Sequence, residues 1–458
     1  NDEPSEEGWR MELADALHVV GEGNHPESVA LFSRTLDMDW VRRVLTATGT
    51  ASIRRRKLPA ELVAWLVIGM ALLRDRSIDE VVHHLDLVLP ALPERPAVDR
   101  SAVIQARDRL GCEPLAVLFA QTARRWAGEA AEALRWRGLA VYGVDGTTMR
   151  IPDTADNALV FGRPHSGRSV GAYPQLRLVA LMVLRAHLLA DLIPGSYDTG
   201  EQTLAQALWK RLPDQCVVVV DKGFINYAVF SGIQRQGNHR HWLCRAKANL
   251  RWHVIRTLGP GDDLVQIPIN RALRKQHPDL PECLTARAIR YQRHGFRPQV
   301  LLTSLLDPDA YPAPEIAELY HERWELELGF DEVKTHTLER TETLRSKAPQ
   351  RVLQELWGLG IAYNLVRCEM LHVATRLQLP PARLSFRHSL MLIRTFLVSA
   401  WCASPGVLPK RLEALHEELA LLVLPQRRPR RYAREVKIKM SNYAKKAPPE
   451  RGTLPRWP

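Results

Sequence analysis

Apolar positions recur at helical spacing from about Glu27 to Leu134, and the pattern breaks at the basic run Arg54-Arg55-Arg56-Lys57 and again from Pro90 to Pro96. Residues 27–134 are therefore predicted to form a helical N-terminal domain behind a polar, flexible segment, 1–26. Inside it, Leu62 to Leu73 is apolar on every side but too short to span a bilayer, so it reads as a buried helix and no membrane partner is expected. From Gly138 to Gly195 the period shortens to two. This predicts three strands of a meander, interrupted by a loop from Pro152 to Pro174 rich in Gly, Arg and Ser. A helix from Glu201 to Leu212, a buried strand beginning at Cys216 and a strand from His241 to Ala246 complete a first block, 135–246. Residues 247–296 mix short strand-like runs with Gly-Pro-Gly at 259–261 and read as a small β-rich insertion. A strand from Val300 to Leu305 and a long helix follow in 297–345, and 346–425 is helical again. The fold class is mixed α/β, with helical regions on both sides of the strands in sequence.

On the helix after that strand, Tyr320, Arg323, Glu327 and Lys334 fall at offsets 0, 3, 7 and 14. At about 100° per residue they lie at roughly 0°, 300°, 340° and 320°, one narrow stripe. Glu318, His321, Glu322, Glu325 and Glu332 occupy the opposite side, which reads as the solvated face, so the stripe points inward. Leu319, Leu326, Phe330 and Val333 flank it on one side, Trp324 and Leu328 on the other. A carboxylate turned inward among apolar residues is costly unless a cation compensates it. Glu327 therefore calls for Arg323 one turn away or for a metal ion, and this helix alone does not separate a buried ion pair from a metal ligand. Asp331 lies near the same stripe and is an alternative to Glu327.

Two further carboxylates follow strand-like runs. Val141-Tyr142-Gly143-Val144 leads into Asp145-Gly146, and Cys216-Val217-Val218-Val219-Val220 leads into Asp221-Lys222-Gly223. Such runs read as central strands buried on both faces. An Asp at the end of one, close to a Gly that lets backbone or ligand approach, is a common way to present a metal ligand. A right-handed crossover through the Glu201–Leu212 helix would set the two strands side by side and bring Asp145 and Asp221 together.

The spacing Tyr320-(2)-Arg323-(3)-Glu327-(6)-Lys334 resembles the signature of the insertion sequence 4 family of bacterial DDE transposases. The segments around Asp145 and Asp221 resemble that family's first and second catalytic regions, in the same order, and residues 27–130 are similar to the helical N-terminal domain of one branch. The resemblance implies an RNase H-like catalytic core in which Asp145, Asp221 and Glu327 are catalytic and hold two Mg²⁺ ions, with Mn²⁺ as a substitute. It also implies a homodimer that binds the inverted-repeat ends of its element, cuts them through a hairpin supported by the insertion, and joins them to target DNA. Three carboxylates suit Mg²⁺, a hard ion, and leave room for water and phosphate. Arg323 and Lys334 would hold a DNA phosphate, the first by its fork and the second as a point charge, and Tyr320 would reach one through its hydroxyl. A hairpin needs a base turned out of the helix. Trp324, beside the stripe, and Trp252, in the insertion, are the candidates for stacking on it, with a plain core position the other reading of Trp324.

Charge agrees with a polyanionic partner. The 458-residue chain is 46% apolar and carries a net charge of +12. Residues 426–458 hold eleven Lys or Arg, Arg430 and Arg431 among them, against Glu435 and Glu450, so this basic tail accounts for nine of those charges. Double-stranded DNA is the leading partner for such a tail, and mere solubility is its other use. Helix Ser77–Val88 and a helix starting near Asp99, with Gln105, Arg107 and Arg109, have the layout of a helix-turn-helix; a bundle touching only the DNA backbone fits as well. Arg163, His165 and Arg168 in the Pro152–Pro174 loop would lie along DNA or on plain surface. Six scattered cysteines suggest neither zinc nor disulfides, and His239-x-His241 lacks a third ligand nearby. The N-terminal residues show no signal pattern, so a cytoplasmic, nucleoid-associated location is expected. A structure-selective nuclease with the same core, which cuts but does not join, and a domesticated DNA-binding protein that no longer cuts are the alternatives.

Overall fold

The computed structural model describes residues 32, 35–52, 58–85, 99–166, 169–293, 297–339, 343–400 and 407–426. The segment 1–26, the Arg54–Lys57 run, the Pro90–Pro96 break, Arg168 and all but the first residue of the basic tail, with Arg430 and Arg431, lie outside them. Among the described residues five helices come first: α1 (Met38–Ala47), α2 (Ala60–Leu72), α3 (Ile78–His84), α4 (Arg100–Leu110) and α5 (Glu113–Ala133). Asp37 caps α1 by accepting from the Trp40 N–H, and Ser77 with Glu80 closes a capping box on α3. Every residue of α2 except Glu61 is buried, as a helix apolar all round requires.

The strand region follows as β1 (Ala140–Arg150), α6 (Ala155–Phe161), β2 (His165–Ser166), β3 (Ser169–Val170), β4 (Gln175–Val183), β5 (Leu188–Ser196), α7 (Glu201–Trp209), β6 (Cys216–Val220), α8 (Tyr227–Arg235), β7 (Arg240–Arg245), β8 (His253–Gly259), β9 (Asp262–Pro268), α9 (Arg271–Gln276), β10 (Cys283–Tyr291) and β11 (Gln299–Thr303). The chain then forms α10 (Ala313–His321), α11 (Trp324–Asp331), a π-helical turn Glu332–Thr337, α12 (Pro349–Arg376), α13 (Phe386–Ala400) and α14 (Leu408–Ala420).

Apart from the short β2–β3 hairpin, the strands among the described residues join one sheet in the order β5-β4-β1-β6-β7-β11-β10-β9-β8. The meander β1-β4-β5 is antiparallel, and α7 carries the chain across to β6, which lies parallel to β1. Residues 247–296 are rich in strands but do not stand apart as a small insertion. Strand β11 returns antiparallel to β7 and offers its other edge to β10, so β10, β9 and β8 prolong the core sheet. Arg287 on β10, fully buried, fixes this extension. It donates to Asp262 Oδ1 at 2.7 Å and to the Tyr311 carbonyl at 2.6 Å, tying β9 and the approach to α10 together.

Side-chain alternation sorts the sheet into two apolar layers. Val141, Met182, Val217 and Val219 pack with Leu326 of α11 and the helices around α12, whereas Tyr142, Val144, Val218 and Val220 face α7 and α8. Polar groups lock the N-terminal helices to α12. Glu355 accepts from Arg74 Nη1 at 3.0 Å, from the N–H of Arg345 and of Ser346 at 2.9 Å each, and from Ser346 Oγ at 2.7 Å. Arg107 belongs to this lock and not to a DNA-reading face. It is 3% exposed and donates to Gln354 Oε1 at 2.7 Å and Ser346 Oγ at 3.0 Å. The reason is its place on the inward stripe Val103-Ala106-Leu110; Gln105 and Arg109 on the same helix are exposed.

Candidate active site

Strand β1 does not end at Asp145. It continues to Arg150 against β4, while its parallel neighbour β6 stops at Val220, opposite Val144. Asp145 is thus the first β1 residue without a parallel partner, and Asp221 is the first residue beyond β6, so the two carboxylates come side by side at a notch in the sheet. Each is steadied by a glycine. Asp145 Oδ1 accepts from the Gly146 N–H at 2.8 Å, and Asp221 Oδ1 accepts from the Gly223 N–H at 2.7 Å. Among the described residues neither Oδ2 accepts a hydrogen bond. Burial pushes the Asp145 carboxyl up to about 6; the Gly146 N–H pulls it down, the neighbouring Asp221 pushes it up, Arg323 pulls it down and Glu201 pushes it up.

The single straight helix expected from Tyr320 to Lys334 is built in three pieces. After α10 the backbone tightens, with the Glu322 N–H bonded to the Leu319 carbonyl and the Arg323 N–H to that of Tyr320, before α11 begins. From Glu332 it widens, and the Leu338 N–H reaches back five residues to Val333. Helix α11 lies close on β1 because Gly143 has no side chain. A β-carbon there would stand 2.6 Å from Leu184 Cδ2 and 2.9 Å from Leu326 Cδ1. That approach brings Arg323 within electrostatic reach of Asp145, while its Nη2 donates to Glu327 Oε1 at 2.8 Å. Tyr320 is buried, and burial pushes its hydroxyl up to about 12. Lys334 is half-buried in the π turn. Asp331 is exposed and accepts from Thr335 Oγ1 at 2.5 Å, which turns it toward its own helix.

Glu332 was expected on a solvated face and is instead the hub of a buried network. It accepts from Tyr363 Oη at 2.8 Å and Arg367 Nε at 3.0 Å, with a further contact to Arg367 Nη2, and lies 3.3 Å from His187 Nδ1. His187 also meets Glu325 through Nε2 at 2.9 Å, and Arg367 Nη2 stands 2.6 Å from its Nδ1. Burial pushes the Glu332 carboxyl up, but Arg367 and His187 together outweigh it and leave it at about 2. His187 sits in the β4–β5 turn with φ 57° and Arg367 on α12, so its partners come from elements remote in sequence. Glu325, two turns earlier on the same face, meets the same His187, so the face expected to be solvated is covered by the β4–β5 turn and α12.

The remaining expectations divide. Trp324 is 43% exposed, so it is not a core residue, while Trp252 is half-buried against the β9–β10 side of the sheet. Arg163 contacts Asp153 and donates to the Ala172 carbonyl at 2.6 Å, which closes its own loop, and His165 is exposed. His241 is half-buried with Nδ1 3.4 Å from Ser304 Oγ, and burial pushes it down, whereas His239 is exposed. Among the described residues no three His, Cys, Asp or Glu side chains are already grouped to hold a metal ion. Sequence reasoning missed Glu201, His187 and Arg367. For Glu201 a signal existed in the glycine after Asp145, which leaves room for a neighbour.

With this geometry in view, comparison with known proteins decides the family. The "Insertion element 4 transposase N-terminal" family matches residues 26–120, and the "Transposase DDE domain" family matches residues 136–365. Transposase InsG for insertion sequence element IS4, from Escherichia coli (strain K12), is 38% identical over 410 residues, covering 89% of this chain and 92% of that protein. The chain belongs to the insertion sequence 4 family of DDE transposases. A second relative from the same organism, putative transposase InsZ, is 33% identical over 240 residues, 52% of this chain and 79% of its own. Among solved structures, a piggyBac transposase synaptic complex with hairpin DNA overlaps 89% of the chain and 87% of its own at TM-score 0.42 and 11% identity, too distant to carry an argument.

This family member is accordingly a DNA-cleaving enzyme, a cut-and-paste transposase whose partner is DNA and whose core is the mixed α/β, RNase H-like sheet described above. Its chemistry is that of divalent metal ions. The residues at the notch fit such an ion by donor type, since all are hard carboxylate oxygens. No helix among the described residues is long and apolar enough to cross a membrane.

Proposed function

We propose that this insertion sequence 4 family transposase binds the inverted-repeat ends of its own element as a homodimer, with Asp145, Asp221 and Glu327 holding two Mg²⁺ ions that Mn²⁺ can replace. The observation that supports this most is the position of Arg323, which bonds Glu327 while standing within electrostatic reach of Asp145 at the notch beside Asp221. Asp145, Asp221 and Glu327 would hold the ions, which when bound would supply activation of a water or a DNA 3′-hydroxyl and stabilisation of the leaving oxygen in an in-line displacement. The chain's own part is to deliver the phosphate and free the third carboxylate. Arg323, with a guanidinium able to grip phosphate through two parallel bonds, exchanges its Glu327 partner for an incoming phosphate oxygen, and Glu327 turns toward the two aspartates. Lys334 and Tyr320 hold neighbouring phosphates. Arg109 and the residues of the tail extend the contact along the duplex.

The test is an incubation of the purified chain with a plasmid carrying the DNA that flanks its gene, in Mg²⁺ or EDTA, beside an Asp221→Asn variant. Released ends and joined products that need the metal and vanish in the variant are the expected outcome. Cutting without joining would make the protein a nuclease, and binding without cutting in the native chain would sink the proposal.

The cleaved end passes through a hairpin, and Trp324, exposed at the start of α11, stacks on the base turned out to form it. Trp324→Ala should then leave first-strand nicking intact and slow hairpin formation. Equal loss of both steps on a sequencing gel would remove that role.

A further inference from the structure

Glu201 opens α7, and its side chain lies across Gly146. A β-carbon on Gly146 would stand 2.4 Å from Glu201 Cδ and 2.7 Å from its Oε1. The Asp-Gly dipeptide therefore places two carboxylates around one residue: Asp145, held by the Gly146 N–H, and Glu201, resting against the Gly146 α-carbon. Among the described residues the Glu201 carboxylate accepts no hydrogen bond and joins no ion pair, in a chain with 63 Lys and Arg. The next residue ties the same helical turn to the second aspartate, since Gln202 Nε2 donates to the Gly223 carbonyl in the turn that Asp221 caps.

We propose that Glu201 is a further carboxylate of the metal site at Asp145 and Asp221, binding an ion directly or through one of its water molecules. Three carboxylates near one another repel unless a cation compensates them, so an uncommitted Glu201 at this place favours ion binding. Glu201 reaches the notch from the α7 face of the sheet, opposite the α11 face that carries Arg323. Glu201 would add a hard carboxylate donor of the kind that Mg²⁺ or Mn²⁺ takes.

The inference rests on the reading of Asp145 and Asp221 as metal ligands, and Mn²⁺ uptake by the purified full chain, followed by loss of the free-Mn²⁺ paramagnetic resonance signal, tests the two separately. Asp145→Asn and Asp221→Asn should abolish uptake, and Glu201→Gln should weaken it about tenfold, in the range typical of residues that support a bound ion, with thermal unfolding unchanged. Gly146→Ala would displace the flexible end of Glu201 without removing its charge. It should weaken uptake to a similar degree and add nothing in the Glu201→Gln background. Native affinity in Glu201→Gln, with uptake lost in both Asp variants, would overturn the role of Glu201 alone; additive losses with Gly146→Ala would place that glycine's effect on Asp145 and count against Glu201. Unchanged uptake in the Asp variants, or none in the native chain, would overturn the Asp145–Asp221 reading and Glu201 with it.

Discussion

Glu327→Gln is expected to lower DNA cleavage by at least ~100-fold, the upper end of what loss of a supporting partner costs a metal site, while affinity for the transposon ends should stay within about twofold. The substitution keeps the shape of the side chain and removes only its charge, so on the proposed reading it would strip a metal ligand without altering a docking surface. An alternative explanation is that Glu327 serves only as the partner of Arg323, and that its loss disturbs the fold. Magnitude decides between them. The Glu327 side chain is 39% exposed and that of Arg323 21%, so the pair is of the partly exposed kind worth about 0–1 kcal/mol. A change of that size cannot unfold a domain or explain a hundredfold loss. Cleavage gels and equilibrium unfolding on the same preparation are the measurement. Activity falling only in step with stability would return Glu327 to a structural role.

Arg367→Leu is expected to destabilise the chain by about 3–5 kcal/mol, the usual result of leaving one member of a buried pair uncompensated. Arg367 is 1% exposed and supplies both the Nε and the Nη2 contacts to Glu332, and its guanidinium stands 5.2 Å from the Phe386 ring centre. Removing it strands a carboxylate among Tyr363, His187 and apolar packing. The double variant Arg367→Leu with Glu332→Leu should recover most of the loss, because no charge is then left unpaired. The same carboxylate gives a pH signature. Its folded value of about 2 lies below the ordinary glutamate range, so its contribution is complete above about pH 4.5 and fades as the pH falls toward 2. The difference between the native chain and Glu332→Gln in urea unfolding should therefore shrink over that window. A constant difference would mean that the charge of Glu332 is not what holds the network.

These two carboxylates show what the sequence reveals and what it hides. Asp145 and Asp221 were legible because a β-branched run can be little but a central strand, and one crossover rule sets two such strands side by side. The Arg323–Glu327 pair was legible because the two lie one helical turn apart, although Glu327 is partly exposed and not turned fully inward. Glu332 was misread because a run of acidic residues on one helix face reads as solvated, whereas here distant cationic groups cover that face, with Glu325 and Glu332 both meeting His187. Its partners, His187 and Arg367, have no local signature, since long-range pairing of a His in a β turn with a helix far downstream leaves no spacing to detect. Arg107 is a different kind of miss. Its apolar neighbours Val103, Ala106 and Leu110 already marked an inward stripe, and a basic side chain on such a stripe is more safely read as a buried strut than as a DNA contact. The path of residues 247–296 depended on which strand edge stayed open after β11 paired with β7, and no property of the segment itself carries that information.

That shared sheet has a consequence for how a duplex must lie. Six steps separate β1 from β8, and neighbouring strands turn by about 20–25° each, so strand direction rotates by on the order of 120–150° between the notch and the far hairpin. The β8–β9 hairpin is therefore turned well away from the direction of β1. It would meet a straight duplex from a different quarter than Asp145 does, and a DNA end held at both places would have to follow the pitch of the sheet.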